Sequence, residues 1–314
     1  MDRATAAPEP PATVARDAVM APKLRRLAKA RRQEVKRLGV HLRAKHHLHR
    51  LGPSTPFTVY AFTIDDPTAA SAPPLSPHGR RRPRNWVLER RYSDFYALRL
   101  KLRELLQLWE RAHNAASRRR KKSEAVALLA RVLRRPLELG LPRRHFRCDS
   151  DAIVRERCVG LYDFVRCLLS VYADVYVHLY EEIAGGTGGL DPRASAACEL
   201  LWLIFAAIAT FLNVPEHRRD AESRHAAAVL ALEDCSVTVA AAGSGGDDPD
   251  DRGGNYACCI CFDDDVDDTW DEDDVRSSSS GGEAAAVKHQ AFVRLPCCHE
   301  FHEDCIIPWL CSSA

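Results

Sequence analysis

The stretch ERRYSDFYALRLKL, residues 89–102, changes its periodicity at Tyr92. Up to that point it completes NWVLERRY (85–92), a run with the aromatic and β-branched character of a strand. Beyond it, Phe95, Leu98, Leu102, Leu105, Leu106 and Trp109 recur at helical spacing, with Ser93 placed to cap the helix and Asp94 in its first turn. Arg90, Arg91 and Tyr92 therefore stand at a strand end that runs into a helix. A guanidinium there can fork onto a phosphate, an adjacent ring can pack against a sugar-like ring, and the helix N-terminus adds donors for an anion. An arginine in such a place also commonly ends in a surface ion pair, so this stretch alone leaves both readings open.

Upstream, FTVYAFTI (57–64) reads as a second strand, followed by the turn-prone DDP. A Pro/Ser/Gly-rich connection links the two, which predicts a strand pair with a long loop. Residues 1–54 read as a basic leader, disordered or partly helical from Pro22 to about His49, with no sustained apolar face. Downstream, SEAVALLARVL (123–133) predicts a short helix. Pro136 and Pro142 rule out a regular helix through residues 134–146, because each removes a backbone donor. Residues 150–183 form a long helical pattern with Ile153, Val154, Leu161, Phe164, Val165 and Leu168 on one stripe. The apolar run Leu200–Leu212 falls short of the about 20 residues a membrane span needs and predicts a buried helix. The domain is expected to close near residue 218, and 219–255 reads as a linker.

Taken together, the phrase at 89–102 resembles the signature of the PX (phox homology) domain, a phosphoinositide-binding module. The order of strands, helix, Pro-bearing segment ending in LPRRHF, and Arg-bearing helix is similar over residues 55–218. The resemblance implies an α+β fold, a small antiparallel sheet packed on a helical subdomain. It implies that Arg91 grips the 3-phosphate of phosphatidylinositol 3-phosphate, that Tyr92 packs under the inositol ring and that Ser93 assists. It further implies that Arg144 supplies the basic membrane-loop residue, with Arg143 as substitute, and that Arg157 in VRERCVGL reaches other inositol hydroxyls. The connection between strands and the segment Arg103–Arg134 are longer than the family needs.

Charge is distributed unevenly. A net charge of +2 conceals KLRRLAKARRQEVKR, GRRRPR and SRRRKK in the first half against GDDPDD, DDDVDD and DEDD in the second. The basic half calls for an anionic partner, membrane or nucleic acid. No aromatic interleaving or DNA-binding motif accompanies it, which disfavours nucleic acid. The N-terminal stretch lacks the apolar core of a signal peptide, so a reduced, intracellular setting is expected. In that setting, crowding of seven of the 12 cysteines after Ala257 points to metal ligation rather than disulfides.

In residues 256–314, Cys258-x-x-Cys261 is followed by Cys297-x-His299 and His302-x-x-Cys305. Closely spaced soft S and N ligands suit tetrahedral Zn²⁺; Cys259 and Cys298 are spacers or competitors. The phrases CCIC, LPCCHEFHEDC and PWL resemble a RING finger of the His-pair type. The resemblance implies a small zinc-stabilised module that recruits a charged ubiquitin-conjugating enzyme through Ile260 and Trp309 and supplies no nucleophile of its own. It also implies a cross-brace in which the first and third pairs share one ion. Cys258, Cys261, His302 and Cys305 would then close one site. Cys297 and His299 would wait for a C-P-x-C pair that this sequence, read as a RING cut short, does not contain; Cys311 is left without a partner. The functional expectation is a protein peripheral on endosomal membranes that links phosphoinositide recognition to ubiquitin transfer, with a non-catalytic adaptor as the alternative.

Overall fold

The computed structural model describes residues 22–47, 57–67, 84–116, 124–143, 150–184, 192–235, 258–261 and 291–313. The chain runs α1 (Pro22–Arg37), β1 (Gly39–His47), β2 (Phe57–Asp65), β3 (Asn85–Arg91), α2 (Tyr92–Ala116), α3 (Glu124–Glu138), α4 (Asp151–Ala184), α5 (Pro192–Phe211) and α6 (Glu216–Leu230). It ends with β4 (Glu233–Asp234), β5 (Phe292–Arg294), β6 (Glu300–His302) and α7 (Glu303–Ser313). Helices combine with two small antiparallel sheets, in the orders β1-β2-β3 and β4-β5-β6. The α+β class expected from the sequence is thus present.

In the first sheet, Leu42 stands opposite Phe62 and Phe62 opposite Leu88. The pleat sends Tyr60, Phe62, Ile64 and Leu88 to one face, where they are buried against α2, α4 and α5. Phe95, in the first turn of α2, is the hub of this core. Its ring centroid lies 6.0 Å from Phe62, 6.1 Å from Phe164 and 5.1 Å from Phe211. The end of α5 is tied to β3 by three donors: Trp86 Nε1 to Leu212 O (3.1 Å), Asn213 Nδ2 to Val87 O (3.1 Å) and Arg90 Nη2 to Phe211 O (2.9 Å). The apolar run at 200–212 is accordingly a core helix, and among the described residues no helix is long and apolar enough to cross a membrane.

Two boundaries differ from the sequence reading. The leader does not stay outside the fold: α1 buries Leu27, Ala28 and Ala30, and Gly39–His47 is an edge strand rather than the tail of a helix. In β1, Val40, Leu42 and Ala44 turn inward while His41, Arg43 and Lys45 are exposed, a period-2 alternation hidden by the basic residues. The expected linker likewise begins as structure. Helix α6 and strand β4 occupy 216–230 and 233–234, and the remainder, 236–255, lies outside the described residues.

A second core joins these unexpected elements to the C-terminal block. Leu27, Ala30, Val177, Val229, Ile306 and Ile307 are buried together, so α7 packs on α1, α6 and the end of α4. At its margin Arg26 bonds Leu232 O at 3.0 Å and pairs with Asp234 and Glu303, and Lys29 pairs with Glu303 at 3.1 Å and with Asp304. Beneath it lies a buried ionic network. Arg31 pairs with Glu34 and, at 2.9 Å, with Glu222; Arg218 pairs with Asp66 and, at 3.1 Å, with Glu222. Tyr172 Oη donates to Glu222 at 2.8 Å, and His225 Nδ1 lies 2.8 Å from Glu34 Oε1. The polarity of α1 in sequence is therefore the polarity of a buried network, which a search for apolar faces does not detect.

Candidate functional site

Cys258, Cys261, His302 and Cys305 converge. The first two flank a tight turn, His302 ends β6 and Cys305 lies in the first turn of α7. Their ligand atoms all lie within 4.8 Å of one another, and Cys261 Sγ stands 3.2 Å from His302 Nδ1. Around a tetrahedral ion bound at about 2.0–2.3 Å, ligand atoms stand about 3.3–3.8 Å apart, so small thiol rotations would close the site. The tertiary structure supplies rigid support: Phe292 packs 4.3 Å from the His302 ring, and Ile306 and Ile307 anchor α7 in the second core.

The electrostatics of Cys258 and Cys305 point the same way. Burial pushes the Cys258 thiol up, but the backbone N–H groups of Cys261, His302 and Ile260 aimed at its sulfur outweigh that and favour the thiolate. Burial pushes Cys305 up as well, and here the neighbouring sulfurs of Cys261 and Cys258 add to it. One thiolate is thus stabilised while the crowd resists a second. A divalent cation relieves that conflict, binding as protons leave. The group Cys258, Cys261, His302 and Cys305 can hold a metal ion.

The other pair stands apart. Cys297 and His299 sit in the β5–β6 turn, both exposed, with Sγ and Nδ1 3.2 Å from each other. Hydrogen bonding from His299 draws the Cys297 thiol below its ordinary range. Cys298 adopts a left-handed backbone (φ 68°) at the turn, and it and Cys259 are exposed outside the cluster. Ile260 and Trp309 are 36% and 51% exposed, so both present apolar surface to solvent. Cys311 is 2% exposed on α7 and lies with Glu34 and His225, ligand atoms within 4.8 Å. Spacing does not reveal that grouping, because its members come from α1, α6 and α7. Two guanidiniums already engage Glu34, which makes this group part of the ionic network.

At the strand end, the structure assigns different work to neighbouring arginines. Arg90 caps the carbonyl end of α5, reaching Thr210 O at 3.1 Å as well as Phe211 O. Arg91 is exposed, its guanidinium carbon 3.7 Å above the Phe57 ring, and it makes no ion pair among the described residues. The main chain of Arg91 donates to Asp94 Oδ2 at 2.8 Å, so Asp94 caps α2; Ser93, exposed, only approaches Asp94 Oδ1 at 3.4 Å. Tyr92 and Arg157, far apart in sequence, are brought together: the Arg157 guanidinium lies 4.2 Å from the centre of the Tyr92 ring. The two are 8% and 4% exposed, respectively.

The Tyr92 hydroxyl donates to Pro142 O, and Pro142 in turn rests on Gly160 of α4. A Cβ at Gly160 would meet the Pro142 ring at 2.7 Å, so only glycine permits this approach. The sequence motifs do not single out Gly160 or Pro142 as partners; their signal is a glycine inside a long helix. Arg143 is exposed, and Arg144 lies outside the described residues. Comparison of the chain with family models, with curated proteins and with solved structures returned no match.

Proposed function

We propose that this protein is a membrane-targeting protein that binds phosphoinositides, phosphatidylinositol 3-phosphate above all, and carries a RING-type zinc finger coupling endosomal membranes to ubiquitin transfer. The observation that carries the reading is the selective convergence of Cys258, Cys261, His302 and Cys305, with Cys297 and His299 held apart. This is the pairing that a cross-braced finger requires, and the Cys₃His donor set favours Zn²⁺. Zinc would hold the turn at 258–261 against α7, which aligns Ile260 and Trp309 on the surface for a ubiquitin-conjugating enzyme. The chain's own residues position that enzyme and provide no nucleophile.

Support for the membrane half comes from Arg157 stacked on Tyr92 beside an exposed Arg91 at the same strand end. In liposome sedimentation, Arg91→Ala is expected to weaken binding to 3-phosphorylated lipid about ten- to a hundred-fold, the worth of a charge-assisted hydrogen-bond pair. Equal binding by variant and wild type, or no preference for that lipid, would overturn the lipid assignment.

The alternative reading is a non-catalytic adaptor, favoured by the exposure of Cys297 and His299 with no further ligand beside them among the described residues. An autoubiquitination assay separates the two. The ligase reading predicts activity that falls about thirtyfold in Trp309→Ala, as for a central interface aromatic. An inactive wild-type chain would leave the adaptor.

A further inference from the structure

Helices α1, α3 and α4 enclose a cleft of about 860 Å³ that neither site above uses. Arg32 and Lys36 enter from α1, Arg135 and Glu138 from α3, and Asp163 and Arg166 from α4. Arg166 and Arg157 both belong to α4. About two and a half turns separate them at 3.6 residues per turn, so the two arginines leave opposite faces of the helix. The cleft is therefore a different place from the Tyr92–Arg157 stack.

Two of its cations are held in position from behind. Arg166 Nη1 donates to Leu38 O at 3.1 Å, and Arg32 Nε reaches the buried Asp174 at 3.4 Å. Lys36 and Arg135 are exposed and make no ion pair among the described residues. Glu138 and Asp163 line the same cleft, with no salt bridge to these cations among the described residues. Ser170 also lines the cleft, and Val35, Leu139 and Ala173 make up its apolar floor.

We propose that this cleft binds a phosphorylated polyol. Lys36, Arg135 and Arg166 supply donors for the phosphate, and charge-assisted contacts of this kind are the strong ones. Glu138, Asp163 and the Ser170 hydroxyl accept hydrogen bonds from hydroxyl groups, and the apolar floor takes the C–H face of the carbon skeleton. Carboxylates lining the same cleft as the cations distinguish this ligand from a bare phosphate, which the carboxylates would repel and which would leave the floor uncovered. The volume falls within the usual range of small-molecule sites. The proposal is independent of whether the strand-end site binds lipid.

The test uses the full metal-loaded chain, titrated calorimetrically with inositol 1-phosphate, with inositol and with inorganic phosphate. Saturable binding of the polyol phosphate, at least about tenfold tighter than either fragment and weakened at least about tenfold by Lys36→Glu or Arg135→Glu, is expected. Arg91→Ala is expected to leave it unchanged. Both reversed side chains are exposed, and circular dichroism checks that the variants fold. Cys167, which lines the cleft, gives a second readout: ligand should slow its alkylation, followed on its own peptide, in the wild type and not in the variants.

A parallel arm with phosphoinositide vesicles identifies the source of the headgroup. Vesicle binding that survives Arg91→Ala and that Arg135→Glu then abolishes, with no soluble binding, assigns the cleft to a lipid. Absence of saturable binding in both arms, indifference to both charge reversals, or loss of soluble polyol phosphate binding with Arg91→Ala instead overturns the proposal.

Discussion

Glu34→Ala is expected to lower the stability of the protein by about 3–5 kcal/mol, the cost of breaking a buried ion pair from one side. Glu34 is 4% exposed and serves three partners: Arg31, Arg218 at 3.8 Å and His225 at 2.8 Å. Its loss leaves two buried guanidiniums one carboxylate short, Arg31 with Glu222 and Arg218 with Asp66 and Glu222, where Arg31 is 1% and Arg218 6% exposed. Burial alone would raise the Glu34 carboxyl, but the Arg31 guanidinium, with help from His225 and Arg218, holds it at about 2 against an ordinary value of 4.5. The folded state thus binds this proton less readily than the unfolded chain. The stabilisation is fully present above pH 4.5 and disappears as pH falls toward about 2. Urea unfolding of wild type and Glu34→Gln across that window checks the sign: the gap between them should close on acidification. Equal unfolding midpoints at neutral pH would show that the network contributes nothing.

Removing the proposed zinc should have the larger structural consequence. Cys305→Ser and Cys261→Ser are each expected to reduce bound zinc from about one ion per chain to near zero, because each deletes one of four ligands. Structural zinc in small modules is worth about 10–16 kcal/mol of apparent binding free energy at neutral pH. Its loss should release β5, β6 and α7 as a unit. Helix α7 carries Ile306 and Ile307 into the core formed with Leu27 and Val229, so hydrogen exchange should accelerate in α1 and α6 too. Cys297→Ser, by contrast, should leave the ion count unchanged, since that thiol faces solvent beside His299 alone among the described residues. Metal analysis after dialysis decides the matter. Two tightly held ions in the wild type, or a full complement in Cys305→Ser, would refute the assignment of these ligands. Acidification should release the ion, as protons compete for thiolate and imidazole.

The group that can hold a metal ion was legible because ligand spacing is local. A C-x-x-C turn and an H-x-x-C step fix which side chains share a side of the backbone, and the cross-brace implied by the RING resemblance sets Cys297 and His299 apart from them. The central strands and α2 were legible for a similar reason, since β2, β3 and α2 show their periodicity openly in residues 57–64 and 85–109. Helix α1, strand β1 and helix α6 were not. Arg26, Arg31, Glu34, Arg218, Glu222 and His225 are charged or polar residues that the fold nevertheless buries. Hydropathy assigns such residues to solvent, because local pairs such as Arg31–Glu34 and Arg218–Glu222 are buried only with partners from far away in sequence, Glu222 for Arg31, Asp66 for Arg218 and Glu34 for His225.

By itself, then, the sequence determined the local content: the strand–helix junction at Tyr92, the long helix from Asp151, the ligand pairs and the candidate role of each arginine type. Only the tertiary structure decided which of those residues meet. It set Arg157 against Tyr92 through the Gly160–Pro142 contact, turned Arg90 to α5 while leaving Arg91 exposed, and placed Cys311 in the buried network. The physical reason is the range of the forces involved. Periodicity, capping and ligand spacing act within a few residues. Burial of charge depends on partners supplied by the whole chain, and its energy is realised only when the elements pack.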